Sequence, residues 1–292
     1  MVSVVGLGCN NFGMRVDEAA TAKVVGTALD LGITHFDTAE MYGGGKSEEF
    51  LGLALGSRRD EVSIASKFLP RPNDQPYEPG ILRTRILEGC DISLRRLATD
   101  HIDLYYQHYP DKDAPIDEVV EAFDTLRQAG KIRYAASSNV TAEQIDEAAA
   151  AGVGFVATQI EWNLLNRAVE ASVVPAAQRQ GLGIVPYFPL ASGLLTGKYR
   201  QGEPFPEGTR LASNAYFASV ASDDNFAYVE QLEKWAAARG HTILELAVAW
   251  LAAQPGVATV IAGATRPEQV EANAAAAAWT LTAADLADLP TR

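Results

Sequence analysis

Short apolar runs alternate with longer amphipathic stretches along the whole chain. The short runs are rich in Val and Ile and are apolar on both faces, which is typical of strands buried in a parallel sheet. Eight such runs predict eight strands. Their predicted bounds are Val4–Leu7, Ile33–Phe36, Val62–Ser66, Ile102–Gln107, Ile132–Ala135, Phe155–Thr158, Gly183–Pro186 and Ala258–Ile261.

The stretches between these runs carry apolar residues at helical spacing, and several of them end at a glycine, as helices commonly do. One of them opens with Thr-x-x-Gln at Thr141, which is close to a capping box. The pattern predicts nine helices. Their predicted bounds are Asp17–Leu31, Ser47–Leu55, Pro79–Leu97, Ile116–Ala129, Thr141–Ala150, Ala168–Gln180, Asp223–Arg239, Thr242–Ala253 and Arg266–Ala278.

Eight βα units that follow one another without a linker predict a (β/α)8 TIM barrel, formed as a single domain by residues 1–292. The helix predicted at 223–239 is additional, and with the long loop Leu190–Ser222 it lies between strands seven and eight. Loops of this length are uncommon and often functional. An open, doubly wound sheet is the alternative architecture for the same α/β pattern.

Composition narrows the classes of partner and compartment. The chain carries a net charge of −13, which argues against binding to nucleic acid or to an anionic membrane, since both need a basic face. No apolar run reaches the roughly 20 residues of a transmembrane helix. No basic segment precedes the first apolar run, so we expect no signal peptide. The only cysteines, Cys9 and Cys90, make no disulfide framework, and a reducing, cytoplasmic setting is the simplest interpretation.

The C-terminal ends of the strands form the catalytic rim of such a barrel, so residues that follow the predicted strands are candidates for chemistry. Every strand after the first is followed there by polar or aromatic residues. These are Asp37 with Tyr42 in the same loop, then Lys67, His108, Ser138, Asn139, Gln159, Tyr187 and the run Gly263, Ala264, Thr265 and Arg266.

Four of these residues are candidates for catalysis, and each also has a structural interpretation. Asp37 could cap a turn, and Tyr42 could pack on the rim. Lys67 could be solvated, and His108 could be a hydrogen-bonded core histidine. Their convergence on one rim favours an active site. No cluster has the spacing of metal ligands. We expect structural roles for the remaining histidines, which are His35, His101 and His241.

Eight segments, in this order and across almost the whole chain, resemble the aldo-keto reductase family. They are GLGCNNFG, FDTAEMYGGGKSEEFLGLAL, SIASKF, DLYYQHYPD, GKIRYAASSN, TQIEWNLLNR, VPYFPLASGLLTGKY and IAGATRPEQVEANAAAA. No single segment is decisive, but the set is specific. It is most similar to the bacterial members that resemble the β subunits of voltage-gated potassium channels. The resemblance implies an NADPH-dependent reductase of small-molecule carbonyl compounds that uses no metal.

The resemblance assigns a role to each catalytic candidate. Tyr42 matches the general acid that protonates the carbonyl oxygen as hydride reaches the carbonyl carbon. A free tyrosine has a pKa of about 10, which is too high for an efficient donor at neutral pH. Lys67, held by Asp37, is expected to lower that pKa through its positive charge. His108 is expected to hydrogen-bond the carbonyl oxygen and orient it.

The resemblance also implies a set of NADPH contacts. Residues that match the nicotinamide contacts are Ser138, Asn139, Gln159 and the stacking aromatic Tyr187. Residues that match the pyrophosphate loop are Pro189, Leu190, Ser192, Gly193, Leu194 and Lys198, with Arg210 as a looser match. Residues that match the 2′-phosphate and adenosine contacts are Gly263, Thr265, Arg266, Gln269 and Asn273. A helix N-terminus and an arginine both favour a phosphate, so we expect NADPH rather than NADH.

Three features depart from the family pattern. Phe188 stands where the family commonly has Ser, so a side-chain hydroxyl contact is lost. Ala272 replaces the Glu of a Glu-Asn pair near the adenine, and Glu271 lies about 100° away around the helix. We therefore expect a modestly weaker adenine contact. The family usually begins with a β-hairpin across the barrel floor, and this sequence begins at the first predicted strand.

Two other functions stay open from the sequence. The first is a regulatory subunit that binds NADP(H) with slow turnover, although the channel subunits carry a different residue at the position of His108. The second is a metal-dependent barrel isomerase or hydrolase. Aromatic residues near the rim suggest an apolar or aromatic carbonyl substrate. The candidate pocket residues are Asn10, Asn11, Tyr77, Tyr109 and Trp162.

Overall fold

Eight parallel strands form the barrel in a computed structural model that describes residues 2–72 and 74–292. They are β1 (Val5–Gly8), β2 (His35–Asp37), β3 (Ser63–Phe68), β4 (Ile102–Gln107), β5 (Ile132–Ser138), β6 (Phe155–Glu161), β7 (Gly183–Tyr187) and β8 (Val260–Gly263). Each strand pairs with its neighbours in the chain, and β1 also pairs with β8. Ile184 of β7 closes the ring through backbone hydrogen bonds of 2.8 Å to Gly256 and Ala258. The predicted (β/α)8 barrel is confirmed, and the open-sheet alternative is wrong.

Helices cover the outside of the barrel. The described residues form α1 (Glu18–Asp30), α2 (Lys46–Leu55), α3 (Ile81–Leu97), α4 (Ile116–Gln128), α5 (Ala142–Ala151), α6 (Val173–Arg179), α7 (Arg210–Ser213), α8 (Ala215–Ala218), α9 (Asp223–Ala237), α10 (Ile243–Ala252), α11 (Pro267–Ala276) and α12 (Ala283–Asp288). The additional helix between β7 and β8 is α9, as predicted. Within residues 2–72 and 74–292, no helix is long and apolar enough to cross a membrane.

Three differences from the predicted helices have local causes. The helix predicted at 168–180 begins only at Val173, because Ser172 has a non-helical φ of −143° and ψ of −56°. The loop predicted at 190–222 contains the one-turn helices α7 and α8, and the side chain of Asn214 accepts a hydrogen bond at the start of α8. The short helix α12 was not predicted, and a capping box of Thr282 and Asp285 begins it.

Most strands run further toward their C-terminal ends than the apolar runs predict. Asp37 pairs with Ala65 in the sheet, and Ser138 pairs with Gln159. Lys67 likewise lies inside β3. Polar residues can continue these strands because their side chains bond to one another across the rim, as described below. These polar residues are therefore part of the barrel wall. Tyr42, His108 and Asn139, in contrast, lie in the segments that follow the strands.

A small cluster of buried side chains fills the barrel interior beneath the rim. Its members are Ala65, Tyr106, Ala136, Ala157, Val185 and Ile261. The ring of Tyr106 is completely buried, and its centroid lies 5.8 Å from the Nζ atom of Lys67. This cluster closes the barrel to water and places the lysine in an apolar setting.

Candidate active site

A buried ion pair lies at the base of the barrel mouth. The Nζ atom of Lys67 is 2.5 Å from Oδ1 of Asp37 and also donates to the carbonyl of Thr38 at 2.7 Å. The side-chain amide of Gln159 donates to Oδ2 of Asp37 at 2.7 Å. Lys67 is fully buried, and Asp37 is 2% exposed. Removal of either ion would leave the other buried without a partner, and a buried unpaired charge strongly destabilises the folded state.

A glycine turn carries Tyr42 to this pair. Gly43, Gly44 and Gly45 have φ values of 60°, 65° and 97°, a left-handed conformation that glycine adopts readily. A Cβ atom at position 43 would lie only 2.7 Å from the carbonyl oxygen of Phe12. The turn places the Tyr42 ring centroid 5.1 Å from the Nζ atom of Lys67. The structure therefore brings the tyrosine and the ion pair together, as expected.

The net pKa of Tyr42 differs from the expectation. Burial raises the pKa of the Tyr42 hydroxyl, and the charge of Lys67 offsets this only in part. Burial also acts to lower the pKa of Lys67, but Asp37 and Tyr42 outweigh it, so that pKa is raised. The expected net lowering of the tyrosine pKa is wrong, because desolvation of the phenolate is the larger effect. At neutral pH the lysine is charged and the tyrosine is protonated.

His108 completes this end of the site. Its ring meets the Tyr42 ring edge-on, with centroids 5.9 Å apart and an angle of 83° between the planes. The ring of Tyr109 stacks on that of His108, with centroids 4.8 Å apart. Burial, and then the charge of Lys67, lower the pKa of His108 to about 3. The imidazole is therefore neutral at neutral pH and offers a single N–H donor.

Polar side chains from β5, β6 and β7 form a connected group beside His108. The hydroxyl of Ser138 donates to the carbonyl of Gln159 at 3.0 Å, and the hydroxyl of Tyr187 donates to Oδ1 of Asn139 at 2.8 Å. The amide of Asn139 donates to the carbonyl of His108 at 2.9 Å. Asn139 also has a φ of 57°, which is uncommon for a residue other than glycine. These contacts hold the predicted nicotinamide residues together.

The segment after β7 bends sharply along the cleft. Phe188 and Ser192 have φ values of 52° and 57°, in the left-handed region that is costly for residues other than glycine. A Cβ atom on Gly193 would lie 3.0 Å from Nζ of Lys198. The side chain of Leu194 is 1% exposed and packs in the core, so the expected pyrophosphate contact, which is through the backbone, stays a prediction. The predicted residues of this segment that line the cleft are Pro189, Leu190, Ser192, Gly193 and Lys198.

The start of α11 forms the opposite end of the cleft. The backbone N–H and the hydroxyl of Thr265 both donate to Oε1 of Gln269, at 2.8 and 3.1 Å. Nε of Arg266 lies 3.6 Å from a carboxylate oxygen of Glu268, and both side chains are largely exposed. A cationic side chain at a helix N-terminus is a suitable place for a phosphate. This end is held less tightly than the catalytic end.

Arg210 reaches across the cleft from α7. One of its terminal nitrogens lies 3.3 Å from Oδ1 of Asn11 and 3.5 Å from Oδ1 of Asn10. Its guanidinium also lies 5.4 Å from the ring centroid of Phe188 and 5.0 Å from that of Phe217. The phenylalanine at position 188 therefore replaces a hydroxyl with an aromatic face that contacts this arginine.

The sequence did not single out several other residues that line the cleft. Arg15 donates to the carbonyl of Gly208 and connects the loop after β1 with the long loop. Met41, Tyr216 and Phe217 add apolar surface. Arg15 and Met41 lie in loops, and Tyr216 and Phe217 lie in the one-turn helix α8, which is too short for periodicity to show which side chains turn inward. Adjacent aromatics at 216 and 217 in an otherwise polar loop were the one available signal.

The predicted residues line one cleft of about 870 Å³. Lys67 lies beneath the cleft, next to Asp37. The glutamate at 271 does not line the cleft, whereas Ala272 does, which agrees with the expected loss of a contact near the adenine. The predicted residues that line it are Asp37, Tyr42, His108, Ser138, Asn139, Gln159, Tyr187, Pro189, Leu190, Ser192, Gly193, Lys198, Arg210, Gly263, Thr265, Arg266, Gln269 and Asn273.

Three of the five candidate residues of the substrate pocket lie at the cleft. Asn10, Asn11 and Tyr109 line the cleft. The predicted place of Tyr77 in the pocket is wrong, because this residue lies away from the cleft and its hydroxyl donates to Glu118 at 2.7 Å. The predicted place of Trp162 in the pocket is also wrong. This side chain is 2% exposed, and its indole N–H donates to a carboxylate of the 3₁₀ turn at 168–171. Aromatic character alone did not show which way these side chains point.

The remaining histidines lie outside the cleft. His35 is buried in the first part of β2, and burial lowers its pKa. His101 contacts the carboxylate of Asp100 at 2.6 Å, and the ring of His241 stacks on Trp279 at a centroid distance of 3.8 Å. Across the residues that the structure describes, no three His, Cys, Asp or Glu side chains gather as metal ligands would.

Comparison with known proteins agrees with this architecture. The model of the Aldo/keto reductase family matches residues 4–290. The aldo-keto reductase YhdN of Bacillus subtilis is 39% identical over 280 residues, which cover 94% of this chain and 84% of that protein. A "Probable voltage-gated potassium channel subunit beta" of Arabidopsis thaliana is 37% identical over 278 residues, with 90% and 83% coverage.

A solved structure extends this agreement to three dimensions. The crystal structure of an aldo-keto reductase from Klebsiella pneumoniae in complex with NADPH matches with a TM-score of 0.78 and 30% identity. The match covers 99% of this chain and 90% of the other. The resemblance seen in the sequence is confirmed by the family match, the relatives and the shared fold, and the chain belongs to the aldo/keto reductase family of oxidoreductases.

Proposed function

We propose that the protein reduces aldehydes or ketones to alcohols with NADPH, and that Tyr42 is the proton donor. The observation that carries this proposal is the buried ammonium of Lys67, which is bound to Asp37 and lies 5.1 Å from the Tyr42 ring centroid. A positive charge in this position stabilises the phenolate that remains when the tyrosine gives up its proton. Membership of the family supports the same class of reaction.

The raised pKa of Tyr42 means that the hydroxyl carries a proton to donate at neutral pH, and the charge of Lys67 opposes the rise that burial causes. When bound, NADPH supplies the hydride that reduces the carbonyl carbon. Negative charge then develops on the carbonyl oxygen. The O–H bond of Tyr42 breaks as the proton forms a new bond to that oxygen, and the product is an alcohol. The phenolate is left beside the charged Lys67.

His108 orients the substrate in this proposal. Its neutral ring can donate one hydrogen bond to the carbonyl oxygen without competing with Tyr42 as an acid. The edge-on contact with Tyr42 and the stacked contact with Tyr109 restrict its rotation. A fixed donor of this kind favours the transition state, in which the oxygen is most negative.

The cleft suits NADPH in its charge and its backbone. Lys198, Arg210 and Arg266 line it, although the chain as a whole has a net charge of −13. Gly263 keeps the cleft open, because a Cβ atom there would lie 3.2 Å from Nδ2 of Asn11. The residues that would hold the nicotinamide are Ser138, Asn139, Gln159 and Tyr187. Those that would hold the remainder are Pro189, Leu190, Ser192, Gly193, Lys198, Arg210, Thr265, Arg266, Gln269 and Asn273, with the backbone of Leu194.

The test is NADPH oxidation with a panel of aldehydes, ketones and sugars. Loss of the hydroxyl in Tyr42→Phe should lower kcat by about 10²–10⁴-fold, the usual contribution of a positioned acid. NADPH affinity, measured by fluorescence titration, should stay the same because the ring is kept. Tyr134→Phe is the matched control, since Tyr134 is 56% exposed and lies outside the cleft. A near-normal kcat in Tyr42→Phe would refute the proposed role.

Similarity to the Arabidopsis protein favours a second candidate, a regulatory subunit that binds NADP(H) with slow turnover. NADPH binding without measurable consumption, in the wild type and Tyr42→Phe alike, would support that candidate. Turnover that survives metal chelation and requires NADPH would argue against a metal-dependent isomerase or hydrolase. The same assay therefore separates all three functions.

We also propose that residues 1–292 act as one domain in the cytoplasm. The cleft is lined by residues from Gly8 to Asn273, so most of the chain is needed to build it. Cys9 and Cys90 are buried free thiols, which suit a reducing compartment. Limited proteolysis that released a stable fragment without loss of the cleft would contradict the single domain.

A further inference from the structure

Behind the active site, a chain of polar contacts connects the turn of the catalytic tyrosine with the strand of the catalytic lysine. Ser66 lies immediately before that lysine in β3, and its hydroxyl donates to Oε1 of Glu48 at 2.6 Å. The other oxygen of Glu48 accepts from NH1 of Arg96 at 3.3 Å. The same nitrogen donates to the carbonyl of Glu40 at 3.2 Å, two residues before Tyr42.

Arg96 also packs directly against the glycine turn. A Cβ atom on Gly45 would lie 2.4 Å from the central carbon of the Arg96 guanidinium. The arginine, which is 28% exposed at the end of α3, therefore lies against backbone that only a glycine leaves free. The turn is thus contacted at both ends, through the carbonyl at position 40 and the bare backbone at position 45.

Glu40 adds a second tie between the same two segments. Its backbone N–H donates to the carbonyl of Lys67 at 3.2 Å. Its side chain accepts from the backbone N–H of Leu69 at 2.9 Å and from Arg85 of α3. The segments that carry the tyrosine and the lysine are therefore joined on the outside of the barrel wall as well as at the rim.

Glu48 is an unusual residue to keep in this place. Its side chain is fully buried, and burial raises its pKa despite the hydrogen bonds from Ser66 and Arg96. A buried ion pair seldom stabilises a fold more than apolar residues would, and the specification of one geometry is a known reason for keeping one. Neither Glu48 nor Arg96 lines the cleft, so neither contacts the reacting atoms.

We propose that Glu48 and Arg96 are positioning residues that hold the Tyr42 turn in register with Lys67. This inference rests on the proposed role of Tyr42 as proton donor. Register matters there because a misplacement of about 1 Å at a reacting group can cost about 10²-fold in rate. The network reaches both catalytic side chains through the backbone next to them, so it acts on their separation.

The first test compares two neighbouring arginines of α3. Arg96→Met keeps the aliphatic stem but removes the bonds to Glu48 and Glu40. Its kcat should fall by about 10- to 10²-fold while NADPH affinity stays unchanged. Arg95→Met is the matched control, because Arg95 is exposed on the same helix turn, and its kcat should equal that of the wild type. Arg96→Lys keeps the charge and should recover part of the rate.

A second measurement does not depend on turnover. The backbone N–H groups of Tyr42 and Gly44 donate within the turn, to Ala39 and Met41, at 3.0 and 3.2 Å. If Arg96 holds the turn, hydrogen–deuterium exchange of residues 40–45 in the cofactor-free enzyme should be faster in Arg96→Met than in the wild type. Arg95→Met should exchange like the wild type.

Ser66→Ala tests the glutamate end of the network with little change in volume. It removes one hydrogen bond to Glu48 and leaves the fold in place, so a smaller fall in kcat is expected with the same exchange signature. Arg96→Met and Arg95→Met variants with equal kcat and equal exchange would overturn the proposal. The number of NADPH-binding sites per protein measures the folded fraction of each variant. If the fall in kcat equals the fall in that number, the variant has only lost folded protein, and the proposal is overturned.

Failure of the proposed function would be seen separately. A wild type without turnover, or a fully active Tyr42→Phe, would remove the role of the tyrosine. The exchange rates would still show whether Arg96 holds the turn. Normal exchange in Arg96→Met would refute the positioning role whatever the reaction is.

Discussion

The two ends of the cleft are held with very different rigidity. At the catalytic end, Asp37 and Lys67 lie on neighbouring strands, are almost wholly buried and are 2.5 Å apart. At the adenosine end, defined here by the start of α11, the side chains of Arg266 and Glu268 are 66% and 70% exposed and 3.6 Å apart. The catalytic end is therefore ordered before any ligand binds, whereas the side chains of the adenosine end can become ordered around a bound ligand.

This difference in rigidity suits the proposed roles of the two ends, which are proton donation and phosphate binding. Stabilisation of charge in a transition state depends on groups whose orientation is set in advance. Recognition of a phosphate tolerates a mobile arginine, at a cost of about 0.5–1.5 kcal/mol for immobilising its side chain. Substitutions at the catalytic end should therefore change turnover and stability together. Substitutions at the adenosine end should change cofactor affinity alone.

Lys67→Met should produce the largest effect. It removes the charge beside Tyr42 and leaves Asp37 buried without its cation. We expect a loss of roughly 10² in kcat or more, together with a decrease of about 3–5 kcal/mol in the free energy of unfolding. Steady-state kinetics and urea denaturation measure the two losses.

Lys23→Met is the control for this substitution, because Lys23 is exposed on α1 and away from the cleft. It should leave both quantities unchanged. A Lys67→Met protein that kept its stability would contradict the view that the catalytic end is a preformed, mutually dependent ion pair.

Arg266→Met should have an intermediate effect, confined to affinity. We expect the Kd of NADPH to rise about tenfold, or about 1.4 kcal/mol, which is near the lower range for a hydrogen bond to a charged group. The Kd of NADH should hardly change, because NADH lacks the 2′-phosphate. Titration of both cofactors by fluorescence, with thermal unfolding of the free protein, tests the separation of affinity from stability.

Two further variants sharpen that result. Lys198→Met should weaken NADPH and NADH equally, since the pyrophosphate is common to both. Glu268→Gln removes the carboxylate that competes for Arg266 and should tighten NADPH slightly. An equal loss of both cofactors in Arg266→Met would remove the assignment of this arginine to the 2′-phosphate.

The last expected effect is a gradual pH dependence of stability at the catalytic end, which appears only below neutral pH. The pKa of His108 is lowered to about 3 in the folded protein, against about 6.5 in an unfolded chain. Between these values the unfolded state binds the extra proton. The free energy of unfolding is thus unaffected above about pH 6.5 and falls as the pH drops below it, by at most about 1.4 kcal/mol per unit.

A comparison of the wild type with His108→Asn isolates this contribution. Urea denaturation at several pH values between about 7 and about 5 gives the free energy of unfolding of both proteins. As the pH falls, that of the wild type should decrease relative to that of His108→Asn. Tyr134→Phe, at an exposed position away from the cleft, is the control and should follow the wild type. Parallel curves for wild type and His108→Asn would show that the histidine is more solvated than its burial indicates.

Some features of the fold and the site could be predicted because they depend on local pattern. The bounds of β4 are as predicted, since a largely apolar run marks it. The ends of β5 and β6 were placed too early, because Ser138 and Gln159 are polar yet stay in the sheet. Tyr77 and Trp162 were misplaced because an aromatic residue near a strand end has no local signal for its direction.

By itself, the sequence determined the number and order of the βα units and the rim on which Asp37, Tyr42, Lys67 and His108 meet. Strand and helix periodicity are local properties, and parallel strands bring their C-terminal ends to one side. Only the tertiary structure decided the net pKa of the tyrosine, the neighbours of Arg210 and the link from Ser66 to Arg96. These depend on desolvation and on distances between residues far apart in the chain, and neither quantity is written in a local pattern.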